Sequence, residues 1–249
     1  MARTPRKNKS GAFKGVRKKV TDEAIYLKEE RHVEPKELFK KVSCIISEFI
    51  EDEDGLCILD VGCATGELIY YLETQFPNVN YYGIDISDDM LNVAKRKIGF
   101  AQLNNQSILK LPLWVDIQFD VVVCLGTVCI FDEIEVTLSN LISSLKDGGR
   151  LLLSEQFNDD SVDVIMRYRR VDSEDNDWES GWNIFSMKTI EDIAKQCDKK
   201  VKWHEFRMPF GIEKNDDPMR TWTIETEANR HQLIVGSKQL IDLYVAEIY

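Results

Sequence analysis

A regular alternation of apolar runs and helix-period segments between Leu56 and Gln156 restricts the fold more than any other feature of the sequence. Each apolar run has the length of one buried strand, and each intervening segment repeats its apolar residues at helical spacing. The apolar runs are LCILDV, VNYYGIDI, GFAQLNN, FDVVVCL and RLLLSEQ. Strands that alternate with helices in this way predict an α/β fold with a doubly wound, mostly parallel sheet.

The segments on either side of this region have a different composition. Residues 1–20 hold eight Lys and Arg and no Asp or Glu, which predicts a flexible basic arm. Residues 35–50 begin with a proline and carry apolar side chains at helical spacing, so they predict a helix. Residues 158–186 are polar and aromatic without a steady period, and we expect an insertion. Three strand-like runs follow later, RTWTIET, HQLIV and KQLIDLYVAEI, the last two as a tight hairpin about Gly236 and Ser237.

The net charge of −11 over 249 residues is distributed unevenly. Outside the arm, 24 Lys and Arg face 43 Asp and Glu. A body this acidic repels a phosphate backbone, so nucleic acid is not expected as a partner unless the arm or a local patch binds it. The sequence leaves the oligomeric state open.

Apolar run lengths and cysteine spacing indicate the compartment. The longest apolar run, VVVCLGTVCIF, is much shorter than the roughly 20 residues of a membrane helix, and the arm lacks the apolar region of a secretory signal. The six cysteines form no CxxC pair, and four of them lie in apolar segments. We therefore expect reduced, buried thiols, no metal site, no membrane partner and a cytoplasmic protein.

The stretch ILDVGCATGEL, residues 58–68, ends the first strand in a glycine turn of the kind that lets a ligand approach the backbone. A P-loop is excluded because Gly66 is followed by Glu67 instead of lysine. A dinucleotide motif is weakened because Glu67 also takes the place of its third glycine. The spacing suits a ligand that has no phosphate but has an ammonium group, which Asp60 can orient.

The same stretch resembles motif I of the class I S-adenosylmethionine-dependent methyltransferases, with Ala64 at the place of a third glycine. The later segments YYGIDISDDML, QSILKLPL, FDVVVCLGTVCIF and LKDGGRLLLSE are similar to further motifs of that family in the same order. The resemblance implies a seven-stranded Rossmann-like sheet with S-adenosylmethionine as cofactor and S-adenosylhomocysteine as product. It divides the chain into a basic arm (1–20), an N-terminal helical cap (21–52), a cofactor-binding core (53–157), an acceptor lid (158–186) and a remainder with antiparallel C-terminal strands (187–249).

The resemblance also assigns cofactor-binding residues. Asp85 takes the place of the acidic residue that binds the ribose hydroxyls, Met90 packs on adenine, and Ser107 stands where an aspartate often accepts the adenine amine. The backbone N–H of Ile108 is then the partner of adenine N1. The full predicted set comprises Asp60, Gly62, Ala64, Gly66, Asp85, Ile86, Met90, Ser107, Ile108 and Cys124.

Methyl transfer needs alignment of acceptor and methyl group more than a dedicated nucleophile. A hydroxyl acceptor would benefit from a general base, for which Glu155, Tyr168 and His32 are the candidates. Each has a structural alternative: a carboxylate such as Glu155 also caps helices or pairs with arginine, and an exposed histidine needs no catalytic role. His204, which alternates with Trp203 on a late strand, is expected to be structural.

The insertion and one later run are rich in arginine and tryptophan, which recognise anions and stack on sugars or rings. The predicted acceptor-binding residues are Arg167, Arg169, Trp178, Trp182, Arg220 and Trp222. Alternatively, the arginines pair with the neighbouring acids Asp172, Glu174, Asp175 and Asp177. The segment CLGT at the end of the fourth strand lacks the NPPY pattern of enzymes that methylate a base amine, which favours oxygen.

We therefore predict an O-methyltransferase for a small anionic or sugar-containing acceptor. The alternative is a methyltransferase or accessory subunit that the basic arm directs to RNA or protein. A cofactor-binding scaffold without activity is a third possibility, which the alanine and serine at motif positions 64 and 107 permit.

Overall fold

The computed structural model of the chain describes residues 16–18, 34–50, 54–171, 178–214, 220–226, 230–234 and 238–249. The helices in these ranges are α1 (Glu37–Ser47), α2 (Glu67–Gln75), α3 (Asp88–Lys97), α4 (Ile134–Ser143), α5 (Met187–Gln196) and a short 3-10 helix (Val128–Ile130). The strands are β1 (Val16–Lys18), β2 (Cys57–Val61), β3 (Asn80–Asp85), β4 (Gln102–Asn105), β5 (Phe119–Leu125), β6 (Leu145–Asn158), β7 (Arg167–Tyr168), β8 (Trp178–Ser180), β9 (Phe185–Ser186), β10 (Val201–Phe206), β11 (Trp222–Thr226), β12 (Arg230–Ile234), β13 (Leu240–Ile241) and β14 (Leu243–Ile248). No described helix has the length and apolar character needed to cross a membrane.

The central sheet has the strand order β4-β3-β2-β5-β6-β14-β10, and the short β9 adds to the end of β6. Strands β2 to β6 pair in parallel, whereas β14 is antiparallel to both β6 and β10. This confirms the predicted doubly wound, seven-stranded, mostly parallel sheet. The strand order reverses between β2 and β5, so a crevice opens beyond their carboxyl ends.

Helices cover both faces of the sheet. Apolar side chains of α1, α2 and α3 form one cluster with one face, including Phe39, Val42 and Leu72. Those of α4 and α5 form a second cluster with the other face, including Leu138 and Ile190. The apolar run of β5 therefore lies between two helix layers, which is why it reads as continuously hydrophobic.

Helix α3 begins at a serine cap. The Ser87 hydroxyl accepts a hydrogen bond from the backbone N–H of Met90 at 3.3 Å, as an N-cap does. Acidic residues occupy the first turn and basic residues the last, which complements the helix dipole. The predicted helix of residues 35–50 is shorter in the structure, where α1 spans Glu37–Ser47.

The polar insertion forms part of a small sheet of its own. Strand β7 pairs antiparallel with β8, and β8 pairs in parallel with β1. Three residues of the segment that the sequence predicts as a flexible arm, 16–18, are thus paired as a strand. The rest of the predicted arm lies outside the described residues.

The C-terminal runs divide between two sheets. Strands β11, β12 and β13 form a separate antiparallel sheet, and β12 pairs with β13 as the predicted hairpin requires, with the turn outside the described residues. The run KQLIDLYVAEI is not one strand, however, because its second half leaves the hairpin and enters the central sheet as β14. Burial explains the division, since Val245, Ala246 and Ile248 are fully buried there.

A buried ionic cluster fixes β14 to its neighbours at the edge of the central sheet. Glu247 is 1% exposed and receives hydrogen bonds from the Arg150 guanidinium and from His204 Nε2, the latter at 2.7 Å. Burial alone would raise the pKa of Glu247. The hydrogen bonds from His204 and Arg150 outweigh burial, so the pKa of Glu247 is lower than its usual value. The carboxylate is therefore charged in the folded protein, and His204 has the structural role expected of it.

This cluster predicts the effect of Glu247→Gln on stability. Because the native pKa of Glu247 is depressed, its stabilisation is present above the unfolded pKa of about 4.3 and is lost as pH falls through the native value. We expect the substitution to lower the free energy of unfolding by about 3 kcal/mol at pH 7, and by much less at pH 3. Urea denaturation at both pH values measures the difference.

The control is Lys188→Gln, which removes an exposed ion pair with Asp192. We expect it to change the free energy of unfolding by no more than about 0.5 kcal/mol. Equal losses in the two variants would contradict the stabilising role of the buried cluster.

Candidate functional site

A cavity of about 310 Å³ lies at the crevice beyond the carboxyl ends of β2, β3 and β5. Its volume lies within the range of small-molecule sites. It is lined by residues of α1, the glycine turn, the end of β3, the loop after β4 and the loop after β5. These residues include Lys36, Leu38, Phe39, Asp60, Gly62, Cys63, Ala64, Glu67, Asp85, Ile86, Met90, Gln106, Ile108, Leu125, Gly126, Thr127, Ile130, Phe131 and Trp182.

The glycine turn brings backbone to the floor of this cavity. Gly62 has a φ of +80°, and a Cβ placed on it would lie 2.2 Å from Thr127 Oγ1. Glycine is therefore required there for conformation and for space. Ala64 has a φ of +47°, a left-handed conformation that glycine adopts more easily.

Gly66 belongs to the fold more than to the cavity. It has a φ of +82°, and a Cβ there would lie 2.4 Å from Cδ1 of Ile98, the residue that follows α3. Gly66 is not among the cavity-lining residues, although the sequence predicts that it binds the cofactor. It instead permits α2 to start close to the end of α3.

Asp85 ties the turn to the end of β3. Its Oδ2 accepts a hydrogen bond from the Ala64 N–H and its Oδ1 accepts one from the Ser87 N–H, each at 2.9 Å. A carboxylate can accept several hydrogen bonds, which suits it to hydroxyl groups of a ligand. Asp85 lines the cavity with Ile86 and Met90, the residues that the resemblance assigns to a ribose and adenine site.

Asp60 is 4% exposed and lies close to Asp85 at the cavity floor. Burial raises the pKa of Asp60 to about 8, and the nearby charge of Asp85 contributes to the rise. Among the described residues, no hydrogen-bond donor is paired with its carboxyl group. A cationic ligand would supply the missing partner, because it favours the charged form of the carboxyl.

In the loop after β4, one of the two predicted cofactor residues lines the cavity and the other does not. Ile108 lines the cavity, and the Asn140 side chain holds its carbonyl at 2.8 Å. Ser107 does not line it, since its hydroxyl accepts a bond from the Leu109 N–H at 3.3 Å within the loop. Gln106 lines the cavity instead, and the sequence did not single it out.

Two predicted site residues, Cys124 and Glu155, do not line the cavity. Cys124 is fully buried in β5, and the residues that follow it, Leu125 to Thr127, reach the cavity. Glu155 also does not line the cavity. Its Oε1 accepts bonds from the N–H groups of Thr127 and Val128 at 2.7 and 2.6 Å, so it caps the 3-10 helix, the alternative that the sequence left open.

The environment of Glu155 also affects its ionisation. Burial raises the pKa of Glu155 to about 7, although hydrogen bonds from Cys129 and the helix backbone lower it in part. A predicted catalytic base at this position would need to contact the acceptor, and the structure places the carboxylate against backbone instead.

Tyr168, a further base candidate, is also outside the cavity lining. The Tyr168 hydroxyl donates to Glu179 at 2.8 Å, and its ring stacks on Trp182 with 5.4 Å between ring centroids. Tyr168 therefore orients Trp182, which does line the cavity. His32 lies outside the described residues.

The predicted acceptor arginines and tryptophans are largely committed to other contacts. Arg167 pairs with Asp132, 35 residues earlier in the chain, and donates to the Met166 carbonyl at 2.5 Å. Arg169 lies over the Trp178 ring at 5.3 Å. Of the six predicted residues, Trp182 is the one that lines the cavity; the acids Asp172, Glu174, Asp175 and Asp177 lie outside the described residues.

Arg220 and Trp222 belong to the separate C-terminal sheet or its approach. The Trp222 ring has the ammonium groups of Lys214 and Lys238 at 5.3 and 5.1 Å from its centroid. Neither Arg220 nor Trp222 lines the cavity. The sequence predicts that Arg220 and Trp222 bind the acceptor together with residues of the insertion. Their position outside the cavity does not match that prediction.

An apolar surface of the cavity was missed by sequence reasoning. Phe39, Ile130, Phe131 and Trp182 form it, and we call it the aromatic wall. The Asn183 side chain ties its parts together by donating to the Phe131 carbonyl at 2.8 Å and accepting from the Met166 N–H at 2.9 Å. The available signal was the run VVVCLGTVCIF, whose second half continues beyond the strand into this wall.

A family model described as a methyltransferase domain matches residues 59–151, the stretch from the glycine turn to the start of the buried part of β6. The strand order and the cavity position agree with that match. Residues 59–151 therefore form a methyltransferase domain. The stretch that resembles motif I is its glycine turn, at the cavity floor.

Two curated relatives of the methyltransferase domain are malonyl-(acyl-carrier protein) O-methyltransferases. The protein of Priestia megaterium is 24% identical over 61% of this chain and 57% of its own length. The second such enzyme of Ilyobacter polytropus is 30% identical over 62% of this chain and 58% of its own length. The chain thus spans less than two thirds of the length of either relative.

A solved structure supports the fold. An amino pentose methyltransferase from Micromonospora echinaspora, with S-adenosylmethionine bound, superposes with a TM-score of 0.54 over 90% of this chain and 94% of its own. The two sequences are 16% identical, so the likeness concerns the fold.

The glycine turn of the methyltransferase domain predicts different effects for two glycine substitutions. Gly62 and Gly55 have nearly the same φ, +80° and +79°, but a Cβ on Gly55 meets nothing within 4 Å. We expect Gly55→Ala to cost about 1–2 kcal/mol from backbone strain alone. Gly62→Ala should cost at least about 1–2 kcal/mol more, because its Cβ collides with Thr127.

Chemical denaturation of the two variants measures the difference. Restoration of stability in the double variant Gly62→Ala with Thr127→Gly would show that the collision causes it. Equal losses for Gly55→Ala and Gly62→Ala would show that the packing against Thr127 is unimportant.

Proposed function

We propose that the protein binds S-adenosylmethionine in this cavity and methylates a carboxylate oxygen of a small acceptor with an apolar body. The residues fit the cofactor: Asp60 is a buried acid that a cation would stabilise in its charged form, and Asp85 is a carboxylate that lines the cavity at the end of β3. Bound there, S-adenosylmethionine supplies a methyl group on a positively charged sulfur, whose transfer to oxygen leaves neutral S-adenosylhomocysteine.

The roles of the cofactor-side residues follow from their positions. Asp60 binds the ammonium group, and Asp85 accepts bonds from the ribose hydroxyls while it holds the glycine turn. Met90 and Ile86 contact the adenine ring, and the Ile108 N–H donates to adenine N1. Glu67 and the absence of a lysine after Gly66 disfavour a phosphate-bearing ligand.

The observation that selects the acceptor is the distribution of titratable groups around the cavity. Among the described residues that line it, these groups are Lys36, Asp60, Cys63, Glu67 and Asp85. All except Lys36 lie at or beneath the glycine turn, on the cofactor side. None of the four residues of the aromatic wall is a general base, so the described part of the cavity favours an acceptor oxygen that is nucleophilic without one.

A carboxylate meets that requirement because it is ionised at neutral pH and transfers no proton when it is methylated. The aromatic wall supplies apolar contact for the rest of the acceptor. Lys36, at the start of α1, adds a positive charge on the same side of the cavity. The two relatives are named for O-methylation of a malonyl group, which also carries a free carboxylate.

Binding of the cofactor product is expected to release a proton from Asp60. Since the pKa of Asp60 is about 8, most of it is protonated at pH 7 in the free protein, and an ammonium ligand ionises it. Calorimetry with S-adenosylhomocysteine in two buffers of different ionisation enthalpy should show release of nearly one proton. Asp60→Asn should release none and bind roughly 10- to 100-fold more weakly.

The ligand 5′-methylthioadenosine is the matched control, because it lacks the amino-acid end. It should release no proton and bind equally to wild type and Asp60→Asn. If Asp60→Asn weakens both ligands alike, Asp60 does not orient the ammonium group.

The acceptor proposal is tested with matched pairs of acceptors that share a carbon chain and differ in a carboxylate or a primary alcohol. We expect base-labile methyl esters from the carboxylates, no ethers from the alcohols, and, at saturating S-adenosylmethionine, a rate that is flat between pH 6 and 8. Trp182→Ala should lower kcat/KM for the acceptor by roughly 10- to 100-fold through lost apolar contact, with unchanged affinity for S-adenosylhomocysteine.

Trp222→Ala is the control for this substitution, since Trp222 lies outside the cavity. It should leave kcat/KM unchanged. Methyl groups found only in base-stable ethers or amines would contradict the carboxylate assignment.

A further inference from the structure

We propose that Asn183 is a positioning residue for the acceptor, because it holds the Trp182 ring in the aromatic wall and ties that ring to Phe131. The inference rests on the proposed acceptor site, since it needs an acceptor that contacts Trp182. Asn183 itself is not among the residues that line the cavity. Its effect on the reaction is therefore expected to pass through the neighbouring ring.

The Trp182 backbone has a conformation that a bulky side chain disfavours. Its φ is +53°, in the left-handed region that residues with a Cβ rarely adopt. Such a conformation persists only where the surrounding contacts determine it, and it is frequent at functional sites. At position 182 it accompanies a ring that lines the cavity. The contacts that impose this conformation therefore also place the ring.

Asn183 joins Trp182 to the segment that carries Phe131. It is fully buried, and its backbone N–H donates to the Cys129 carbonyl at 2.8 Å. Its side-chain Nδ2 donates to the Phe131 carbonyl at 2.8 Å and to Asp132 Oδ1 at 3.0 Å. Because Phe131 belongs to the aromatic wall, these bonds fix one ring of the wall relative to the other.

The oxygen of the same amide binds the insertion. It accepts a hydrogen bond from the Met166 N–H at 2.9 Å. Directly beyond it, Ile184 and Val164 exchange backbone hydrogen bonds at 2.7 and 2.9 Å. An amide can donate on one side and accept on the other, so its orientation is defined by these partners. Truncation of Asn183 would leave buried backbone groups without this partner on both sides.

Two other contacts near Trp182 are less able to fix its backbone. The Tyr168 ring stacks on Trp182 with 5.4 Å between ring centroids, which orients the ring plane without fixing the Trp182 backbone. Arg167 pairs with Asp132, whose side chain is 34% exposed, whereas Asn183 is fully buried. Solvent weakens an ion pair of this kind, so we expect the amide of Asn183 to carry the positioning.

The test is a double-mutant cycle on methyl transfer with wild type, Asn183→Ala, Trp182→Ala and the double variant. The acceptor is the carboxylate of the matched pairs that wild type methylates best. We expect Asn183→Ala to lower kcat/KM about tenfold, mainly through a higher KM for the acceptor, with unchanged affinity for S-adenosylhomocysteine. In the Trp182→Ala background the loss should be less than about twofold, because the ring through which Asn183 acts is absent.

Two control variants separate positioning from stability. Glu247→Gln disrupts the buried ionic cluster on β14, away from the cavity, and should leave kcat/KM unchanged. Asp132→Asn keeps an oxygen that accepts from the Asn183 amide and removes the charge that pairs with Arg167. It should also leave kcat/KM unchanged. If thermal denaturation shows that Asn183→Ala is unfolded at the assay temperature, Asn183→Ser replaces it in the cycle with the same expectation.

The outcomes separate this inference from the proposal beneath it. A wild type that methylates only the alcohols overturns the carboxylate assignment, and the cycle is then measured with an alcohol. A wild type that methylates neither member of any pair overturns both proposals.

Other results overturn the role of Asn183 alone. They are an unchanged kcat/KM in the Asn183 variant, and an equal loss from that variant in the wild-type and Trp182→Ala backgrounds. A loss in Asp132→Asn as large as that in the Asn183 variant would assign the positioning to the ion pair with Arg167. A loss of that size in Glu247→Gln would show that reduced stability is sufficient to lower kcat/KM.

Discussion

The carboxylate of Asp85 is the contact on which the geometry of the site depends. It holds the Ala64 N–H with one oxygen and the Ser87 N–H with the other, so it joins the turn after β2 to the start of α3. Charge-assisted bonds of this kind are stronger than neutral ones. They offset the unfavourable left-handed conformation of Ala64, which the usual glycine would adopt without strain. The turn keeps its shape in this chain despite the alanine.

The same carboxylate affects the chemistry of its neighbour. Asp60 is buried beside it, and two acidic groups in one poorly hydrated place cannot both ionise easily. Asp60 therefore remains largely protonated near neutral pH until a cation arrives, whereas Asp85 accepts hydrogen bonds from two backbone N–H groups. The site thus combines a hydrogen-bonded carboxyl group with an acid that a cation would ionise. This arrangement suits S-adenosylmethionine better than a phosphate-bearing nucleotide.

Sequence reasoning predicted the features that depend on local pattern and failed for those that depend on distant contacts. The strand–helix alternation, the glycine turn and the positions of Asp60 and Asp85 at strand ends follow from residues close in the chain. The partner of Arg167 is 35 residues away, so its commitment to Asp132 carried no local signal. Gln106 lines the cavity although nothing in the neighbouring sequence set it apart. Phe39 was missed because a cavity-lining apolar residue on a helix has the same spacing as a core residue.

Glu155 shows how a residue outside the cavity shapes it. A buried carboxylate on β6 is costly, and the two N–H groups of the 3-10 helix reduce that cost. The hydrogen bonds from the Thr127 and Val128 N–H groups to Glu155 fix the position of Thr127. The Thr127 side chain occupies the space that a Cβ at Gly62 would need. The helix then carries Ile130 and Phe131 to the aromatic wall, where Asn183 binds the Phe131 carbonyl. One capping carboxylate therefore connects the glycine turn to the aromatic wall, which explains a buried acid that does not itself line the cavity.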